Sequence, residues 1–300
     1  MKRFGYIFLV IVILLITFFA NFDGMKAVPV ITSEEFLSSQ PYITIGDIVL
    51  TQPSSTVIVY ILGIFIILLG IRFLKKKQDY ISRKWWGISM IFWGIGAILA
   101  GTSYQAFGYQ LKCVGVEYCN FTDWWEIMYL LITALSIGML VIAMSHCVAS
   151  GKTRRIMKII TYISVPLYAL ILTIGSIVPI KFMVTYELFC IFFMPHFVVF
   201  FILSIKEYKI KKDIMNKRFI ITWILFLLTN VAYYVYYWIG ISESLLNSTG
   251  IWFNQNDILH VLLLGWMIYI WIALPNVIVD KDEVKRVQLP NGSRYVEEKR

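Results

Sequence analysis

The stretch SSTVIVYILGIFIILLGIRFL, residues 54–74, is followed directly by the basic run KKK at positions 75–77. It holds a single charged residue, Arg72, and a helix of this length covers the roughly 30 Å of a bilayer core. Similar apolar runs lie near residues 4–20, 85–108, 124–148, 157–178, 183–205, 216–239 and 257–279. The sequence therefore predicts an all-α, polytopic helical membrane protein, with a seven-helix core preceded by an N-terminal signal peptide or signal-anchor helix.

The composition also favours a membrane protein over a water-soluble one. Hydrophobic residues make up 59% of the 300 residues, charged residues only 15%, and the mean hydropathy is +0.74. A water-soluble domain of this length fills its core with far fewer apolar residues. The sequence holds no Walker, nucleophile-elbow or dinucleotide-binding motif, and the last apolar run has no lysine that could form a retinal imine. These classes of protein are disfavoured.

The net charge of +9 is distributed unevenly among the loops. Lys and Arg concentrate in alternate segments, at 75–84, 152–158, 206–218 and after Asp280, while the opposite loops keep only Lys26, Lys112 and Lys181. Because short loops rich in Lys and Arg stay in the cytoplasm, we predict an integral protein of the cell membrane with a cytoplasmic C-terminus. The expected partners are membrane lipid and a lipid-like ligand, and no nucleic acid. The sequence names no protein partner.

The chain divides into four parts. Residues 1–27 form a signal peptide or signal anchor, 28–53 a non-cytoplasmic N-terminal segment, 54–279 the seven-helix bundle and 280–300 a cytoplasmic basic tail. The basic start followed by an apolar run is typical of a cleaved leader and of a signal anchor. Phe18 and Met25 would stand at the −3 positions of the candidate cleavage sites, where a small residue is preferred. Both alternatives therefore stay open.

The four cysteines fall into two groups. Cys113 and Cys119 flank a short loop on the non-cytoplasmic side, where disulfides persist. We predict that they are bonded, because two cysteines without a neighbouring His or a second Cys pair make a poor zinc site. The bond would fix the angle between the two spans that the loop joins. Cys147 and Cys190 are interpreted as small buried hydrophobic residues.

Polar residues gather at the non-cytoplasmic ends of the second and third core spans. Ser103, Tyr104 and Gln105 close the second, and Asp123 and Glu126 open the third. The acidic pair also fits a capping box at a helix N-terminus, which is the alternative to a role in a site. The second span carries small residues at four-residue spacing, namely Gly96, Ala97, Ala100 and Gly101. This spacing predicts close packing that brings Ser103 into the bundle.

The last span opens with Asn254, Asn256 and Asp257 and reaches His260 one turn later. Asn256, Asp257 and His260 share one helix face, because they are spaced i, i+4 and i, i+3. Capping explains the first residues but not an imidazole about 9 Å inside a span, which must be paired or face a wet cavity. We therefore expect Ser103, Glu126, Asp257 and His260 to line one cavity as catalytic residues. Tyr104, Gln105 and Asn256 are the expected ligand-binding residues.

This order of residues resembles the CREST superfamily of seven-helix membrane hydrolases, which includes the alkaline ceramidases and the adiponectin-receptor-like proteins. In that family a Ser and a His on one span, an Asp on the next and an H-x-x-x-H pair on the last surround a zinc ion that activates water. The resemblance implies that Ser103 matches the Ser, that Asp123 or Glu126 matches the acid, and that His260 matches the second His of the last pair.

The sequence departs from the CREST pattern at two positions. Phe107 and Asn256 stand where the other two histidine ligands of zinc are expected. Zinc is the cofactor that the resemblance implies, but the residues themselves leave the metal and the cofactor unknown. Without a metal, His260 would act as a general base towards water or Ser103, oriented by Asp257 or Glu126.

Two classes of function follow from these residues. The first is a CREST-like hydrolase of a lipid amide or ester at the outer leaflet. The second is a non-enzymatic seven-helix receptor, sensor or carrier that binds a small or lipid-like ligand in the same cavity. The short basic loops carry no signalling or catalytic domain and distinguish neither class.

Overall fold

A computed structural model describes residues 31–76, 80–178 and 180–282. The α-helices and strands of this part are, in chain order, α1 (Ser33–Ser38), β1 (Tyr42–Ile45), β2 (Ile48–Thr51), α2 (Pro53–Leu74), α3 (Ile81–Ala100), α4 (Gly108–Lys112), α5 (Trp124–Val148), α6 (Gly151–Ile177), α7 (Tyr186–Lys211), α8 (Ile214–Ile239), α9 (Ile241–Thr249) and α10 (Gln255–Ala273). The strands β1 and β2 pair antiparallel as one hairpin, with Tyr42 opposite Thr51.

Within the described residues, seven helices are long and apolar enough to cross a membrane. They are α2, α3, α5, α6, α7, α8 and α10, and they coincide with the seven predicted core spans. The prediction of an all-α, multi-pass membrane protein with a seven-helix core is therefore confirmed. The signal peptide or anchor predicted for residues 1–27 lies outside the described part of the chain.

Six of the spanning helices form a closed ring. Helix α3 packs against α2 on one side and α5 on the other, α5 contacts α7, α7 contacts α8, and α10 joins α8 back to α2. Helix α6 packs mainly on α5, outside this ring. Since successive spans run in opposite directions, the end of α3 and the starts of α5, α7 and α10 meet at one end of the bundle. We call it the disulfide end, because it carries Cys113 and Cys119, and the opposite end the tail end.

Glycines let α2 and α3 approach closely. A Cβ atom placed on Gly70 would lie 2.6 Å from the carbonyl oxygen of Gly87, far inside normal contact. The small residues predicted on α3 pack against two different helices, because Gly96 faces Thr133 of α5 and Gly101 faces Val59 of α2. Close packing of α3 was thus predicted correctly, whereas the glycines that contact each other across α2 and α3 were not singled out.

The residues after α10 lock the tail end. The carboxylate of Asp280 accepts the backbone N–H groups of Ile81 and Ser82, both at 2.9 Å, and so caps the start of α3. The buried guanidinium of Arg83 donates to the carbonyl of Ile278 at 2.8 Å. The segment after α10 therefore fixes the start of α3 at the tail end. Most of the tail predicted at 280–300 lies outside the described residues.

Candidate functional site

Helix α3 ends in a π-helical turn, Gly101–Ala106, which carries three of the predicted site residues. The backbone N–H of Phe107 donates to the carbonyl of Thr102 at 2.8 Å, five residues back, so the turn is wider than an α-helical one. The hydroxyl of Thr51 donates to the carbonyl of Gln105 and satisfies it. Single π-helical turns are frequent at functional sites, and the sequence analysis did not predict this one.

Ser103 and Asp123 are bound to each other. Ser103 is fully buried, and its hydroxyl donates to Oδ2 of Asp123. The other oxygen of Asp123 accepts the backbone N–H groups of Trp125 and Glu126, at 2.7 and 3.1 Å. Asp123 is therefore the N-cap of α5, as the capping alternative predicted. The same carboxylate fixes the Ser103 hydroxyl.

Glu126 does not complete a capping box. Its buried carboxylate forms an ion pair with Lys112 and accepts the hydroxyl of Thr122 at 2.7 Å. The ammonium of Lys112 also lies 5.2 Å from the ring centre of Tyr104, which is within range of a cation–π interaction. Lys112, the last residue of α4, thus links the first turn of α5 to Tyr104 of the π-helical turn. Lys112 was treated in the sequence analysis only as a loop charge.

The disulfide between Cys113 and Cys119 is present, as predicted. The backbone N–H of Cys119 donates to the carbonyl of Ile31 at 2.8 Å, and the Ser33 hydroxyl donates to the carbonyl of Cys113 at 3.2 Å. The N-terminal segment is therefore tied to the disulfide loop. Ile31 and Phe36 of this segment line the cavity described below, so the segment contributes to that cavity.

Helix α10 begins with a complete capping box. The side chain of Asn254 accepts the backbone N–H groups of Asn256 and Asp257, and Oδ2 of Asp257 accepts that of Asn254 at 2.8 Å. Asp257 is fully buried beside Ser55 of α2. Nδ2 of Asn254 donates to Oε1 of Gln52 at 3.2 Å, which ties α10 to the start of α2. Asp257 thus stabilises the helix start.

A cavity of about 450 Å³ lies at the disulfide end, among α2, α3, α5, α7, α8 and α10. This volume falls in the usual range of small-molecule sites, about 300–1,000 Å³. Its apolar lining includes Leu62, Trp93, Ile137, Phe193, Phe197, Phe226 and Leu263. Its polar lining includes Tyr104, Gln105, Lys112, Asn120, Glu126, Thr185, Glu187, Asn256 and His260. The cavity therefore combines an aromatic-rich apolar surface with a limited polar set.

His260 lines this cavity without a protein partner for its buried nitrogen. Nδ1 of the ring is buried and has no hydrogen-bond partner within the described part of the chain. The ring keeps partial exposure, and the surface that it faces is the cavity. We expected Asp257 or Glu126 to pair with it, and this expectation is wrong: Glu126 binds Lys112, while Asp257 binds the start of its own helix.

Gln105 is a second polar side chain whose bonding is incomplete. It is 3% exposed and lines the cavity, and its Oε1 has no hydrogen-bond partner in the described ranges. Burying an unpaired amide group costs about 1–3 kcal/mol. Gln105 and His260 therefore both present unmet hydrogen-bonding capacity at one cavity.

The wall formed by α5, α7 and α8 was not predicted as part of the site. Tyr129, Tyr186, Glu187, Cys190 and Tyr233 line the cavity from these helices. The rings of Tyr186 and Tyr233 meet edge to face at 6.0 Å, and the Tyr186 hydroxyl donates to Oδ1 of Asn230 at 3.3 Å. Cys147 is fully buried, as interpreted, and Cys190 packs against the core but is only partly buried where it lines the cavity. We call these five residues the tyrosine wall.

The predicted site is thus divided. Glu126, Tyr104, Gln105, Asn256 and His260 line one cavity. Ser103 and Asp257 are absent from its described lining, because one is held by Asp123 and the other by the cap of α10. The inference of a cavity at this end was sound, but the sequence pattern could not separate helix-capping acids from cavity-lining ones.

The donor set does not fit the zinc ion that the resemblance implies. A catalytic zinc site needs three protein ligands converging on one point. Among residues 31–76, 80–178 and 180–282, no group of three His, Cys, Asp or Glu side chains is placed to hold a metal ion. Phe107 and Asn256 occupy two of the expected ligand positions.

The fold and the cavity define a seven-helix membrane protein with a small-molecule-sized cavity at one end. Residues 55–278 match the model of a family described as a family of unknown function, DUF6962, and the chain belongs to that family. The matched range runs from the first turn of α2 to the segment after α10, so it includes the cavity helices. No curated protein and no solved structure matches the chain. Nothing in these comparisons relates it to the CREST superfamily.

Proposed function

We propose that this protein is a membrane receptor, sensor or carrier that binds a small amphipathic ligand in the cavity at the disulfide end. The observation that carries the proposal is His260, whose imidazole lines the cavity with no partner for Nδ1 among the described residues. A polar group at that depth needs a partner, and the space in front of it can hold one. A ligand with a hydrogen-bonding head would supply that partner.

The rest of the ligand is expected to be apolar. Trp93, Phe193, Phe197 and Phe226 give the cavity a large aromatic surface, and burial of apolar area is the main source of affinity in such sites. The space of about 450 Å³ accommodates a compact molecule. A small aromatic or branched aliphatic body with one polar end matches both features.

The hydrolase interpretation has less support. A serine nucleophile needs a base within hydrogen-bond reach, whereas the Ser103 hydroxyl donates to Asp123, which is also a helix cap. His260 has no acid to orient it in the described residues. Binding requires neither relationship, and we therefore favour it over catalysis.

We also propose that the tail end faces the cytoplasm of the cell membrane. The Lys- and Arg-rich segments lie at the tail end, and the disulfide lies at the other end. Positive loops are retained in the cytoplasm, and disulfides persist outside it. The two observations are independent and support the same orientation.

Cys190 is a native reporter of the cavity, because it lines the cavity while Cys147 is fully buried and the other cysteines are bonded to each other. The test measures how fast a small thiol reagent modifies Cys190 in lipid nanodiscs. We expect 2-phenylethanol to protect the thiol saturably. It should do so about three- to tenfold more tightly than ethylbenzene, which lacks the hydroxyl, as for one neutral hydrogen bond.

The variant His260→Ala should remove this preference for the hydroxyl, because it removes the unpaired partner. His196→Ala is the matched control, since His196 is a buried histidine of α7 that is not among the cavity-lining residues. Absence of saturable protection by 2-phenylethanol would overturn the proposal. If His260→Ala and His196→Ala changed the preference for the hydroxyl equally, His260 would not be the residue that binds the polar head.

A further inference from the structure

The charges of the cavity distinguish between ligand classes. Lys112, Glu126, Lys181 and Glu187 are its charged lining residues. Lys112 and Glu126 neutralise each other in a buried ion pair. Lys181 is exposed, so water and salt screen its charge. Glu187 is partly buried and forms no ion pair with any described residue, which leaves the cavity one poorly compensated negative charge.

Glu187 belongs to the tyrosine wall. It follows Tyr186 directly in α7, and Tyr129 and Tyr233 line the same cavity. Tyrosine rings present a negative face, and cations bind against such faces, more strongly where water is excluded. A carboxylate next to several aromatic rings is the combination that recognises an ammonium group.

A second, independent observation points to a ligand in this cavity. Gln105 is 97% buried, lines the cavity from the π-helical turn, and has an amide oxygen without a partner in the described residues. An ammonium group carries several N–H donors, which could satisfy this acceptor in addition to the Glu187 carboxylate. An anionic head would supply no donor to either group.

We propose that the cavity recognises a protonated amine. Glu187 and the tyrosines of the tyrosine wall bind the ammonium group, and the apolar lining encloses an aromatic or aliphatic body. This inference rests on the proposed function, of which it names the ligand class. It assigns Glu187 as the residue that determines specificity, and it leaves His260 to bind a further polar group of the ligand.

The experiment uses three probes of matched size at pH 7.4: 2-phenylethylamine, which is protonated, 2-phenylethanol and phenylacetate. Protection of Cys190 from the thiol reagent gives an apparent Kd for each. We expect the amine to bind at least about tenfold more tightly than the alcohol, as for a hydrogen bond to a charged group, and phenylacetate to bind most weakly. Glu187→Gln should abolish the advantage of the amine over the alcohol.

Glu243→Gln is the matched control, because Glu243 is an exposed acid on α9 at the same end and is not among the cavity-lining residues. Equal protection by amine and alcohol in the unmodified protein would overturn the amine assignment, as would stronger protection by phenylacetate or protection by none of the three. Those comparisons need no variant to fold. Equal loss in Glu187→Gln and Glu243→Gln would also overturn it. Protection by the alcohol without an amine preference would leave the proposed function standing.

Discussion

Gly63 of α2 and Gly94 of α3 bring two backbones into direct contact. A Cβ atom on Gly94 would lie 2.5 Å from the carbonyl oxygen of Gly63, and one on Gly63 would lie 2.9 Å from that of Gly94. Only glycine fits at either position, because a backbone carbonyl cannot move aside as a side chain can. The contact positions the part of α3 that lies towards the disulfide end, and hence the π-helical turn that follows it.

Gly94→Ala is therefore expected to destabilise the bundle by about 1–3 kcal/mol, the usual cost of overpacking. Gly265→Ala on α10 is the control, because no atom of the described residues outside its own helical turns lies within 4 Å of the added Cβ. There the higher helix propensity of alanine should be neutral or stabilising by up to about 1 kcal/mol. Thermal unfolding in detergent measures both variants. A Gly94→Ala protein as stable as Gly265→Ala would contradict the close contact.

The disulfide gives a second prediction. Replacing Cys113 and Cys119 together by Ser should lower the free energy of unfolding by roughly 2–3 kcal/mol, because the open chain regains entropy that the bond removes. Alkylation followed by mass spectrometry checks the bond directly. In protein purified without reductant, both cysteines should resist alkylation until they are reduced. Free thiols at both positions would contradict the disulfide and, with it, the predicted loss of stability.

Much of the fold could be predicted from the sequence, for a physical reason. A bilayer requires long apolar helices, so seven spans and their limits can be recognised from composition and length. The caps formed by Asp123 and Asn254 were recognisable as well, because capping is a local interaction. The disulfide was predictable because Cys113 and Cys119 flank a short loop on the predicted non-cytoplasmic side.

The candidate site was only partly predictable. The direction in which the Ser103 side chain points depends on a π-helical turn. Its hydrogen bond to Asp123 depends on how α3 and α5 pack against each other. Neither relationship leaves a pattern in sequence spacing. The place of Glu187 and Cys190 in the site could not be predicted for the same reason, because only the packing of the helices brings α7 to the same cavity as α3 and α10.

The tail end supplies a third prediction, on two neighbouring acids. Asp280 is 7% exposed and accepts two backbone N–H groups at the start of α3. Asp280→Ala should cost about 1–2 kcal/mol of unfolding free energy, since it removes a buried helix cap. Asp282→Ala is the control, because the side chain of Asp282 is 54% exposed and its ion pair with Arg154 is worth at most about 1 kcal/mol. Chemical denaturation of both variants decides whether residues after α10 stabilise the bundle.

The proposed orientation in the membrane gives the last prediction. In a background lacking Cys147 and Cys190, a cysteine replaces either Asn247, which is exposed on α9 at the disulfide end, or Ser293, which lies in the tail sequence. A membrane-impermeant maleimide should label the Asn247→Cys protein in intact cells, because that end faces outward. The Ser293→Cys protein should be labelled only after permeabilisation, since the Lys- and Arg-rich segments hold the tail end in the cytoplasm. The reverse labelling pattern would place the cavity on the cytoplasmic side and overturn the proposed orientation.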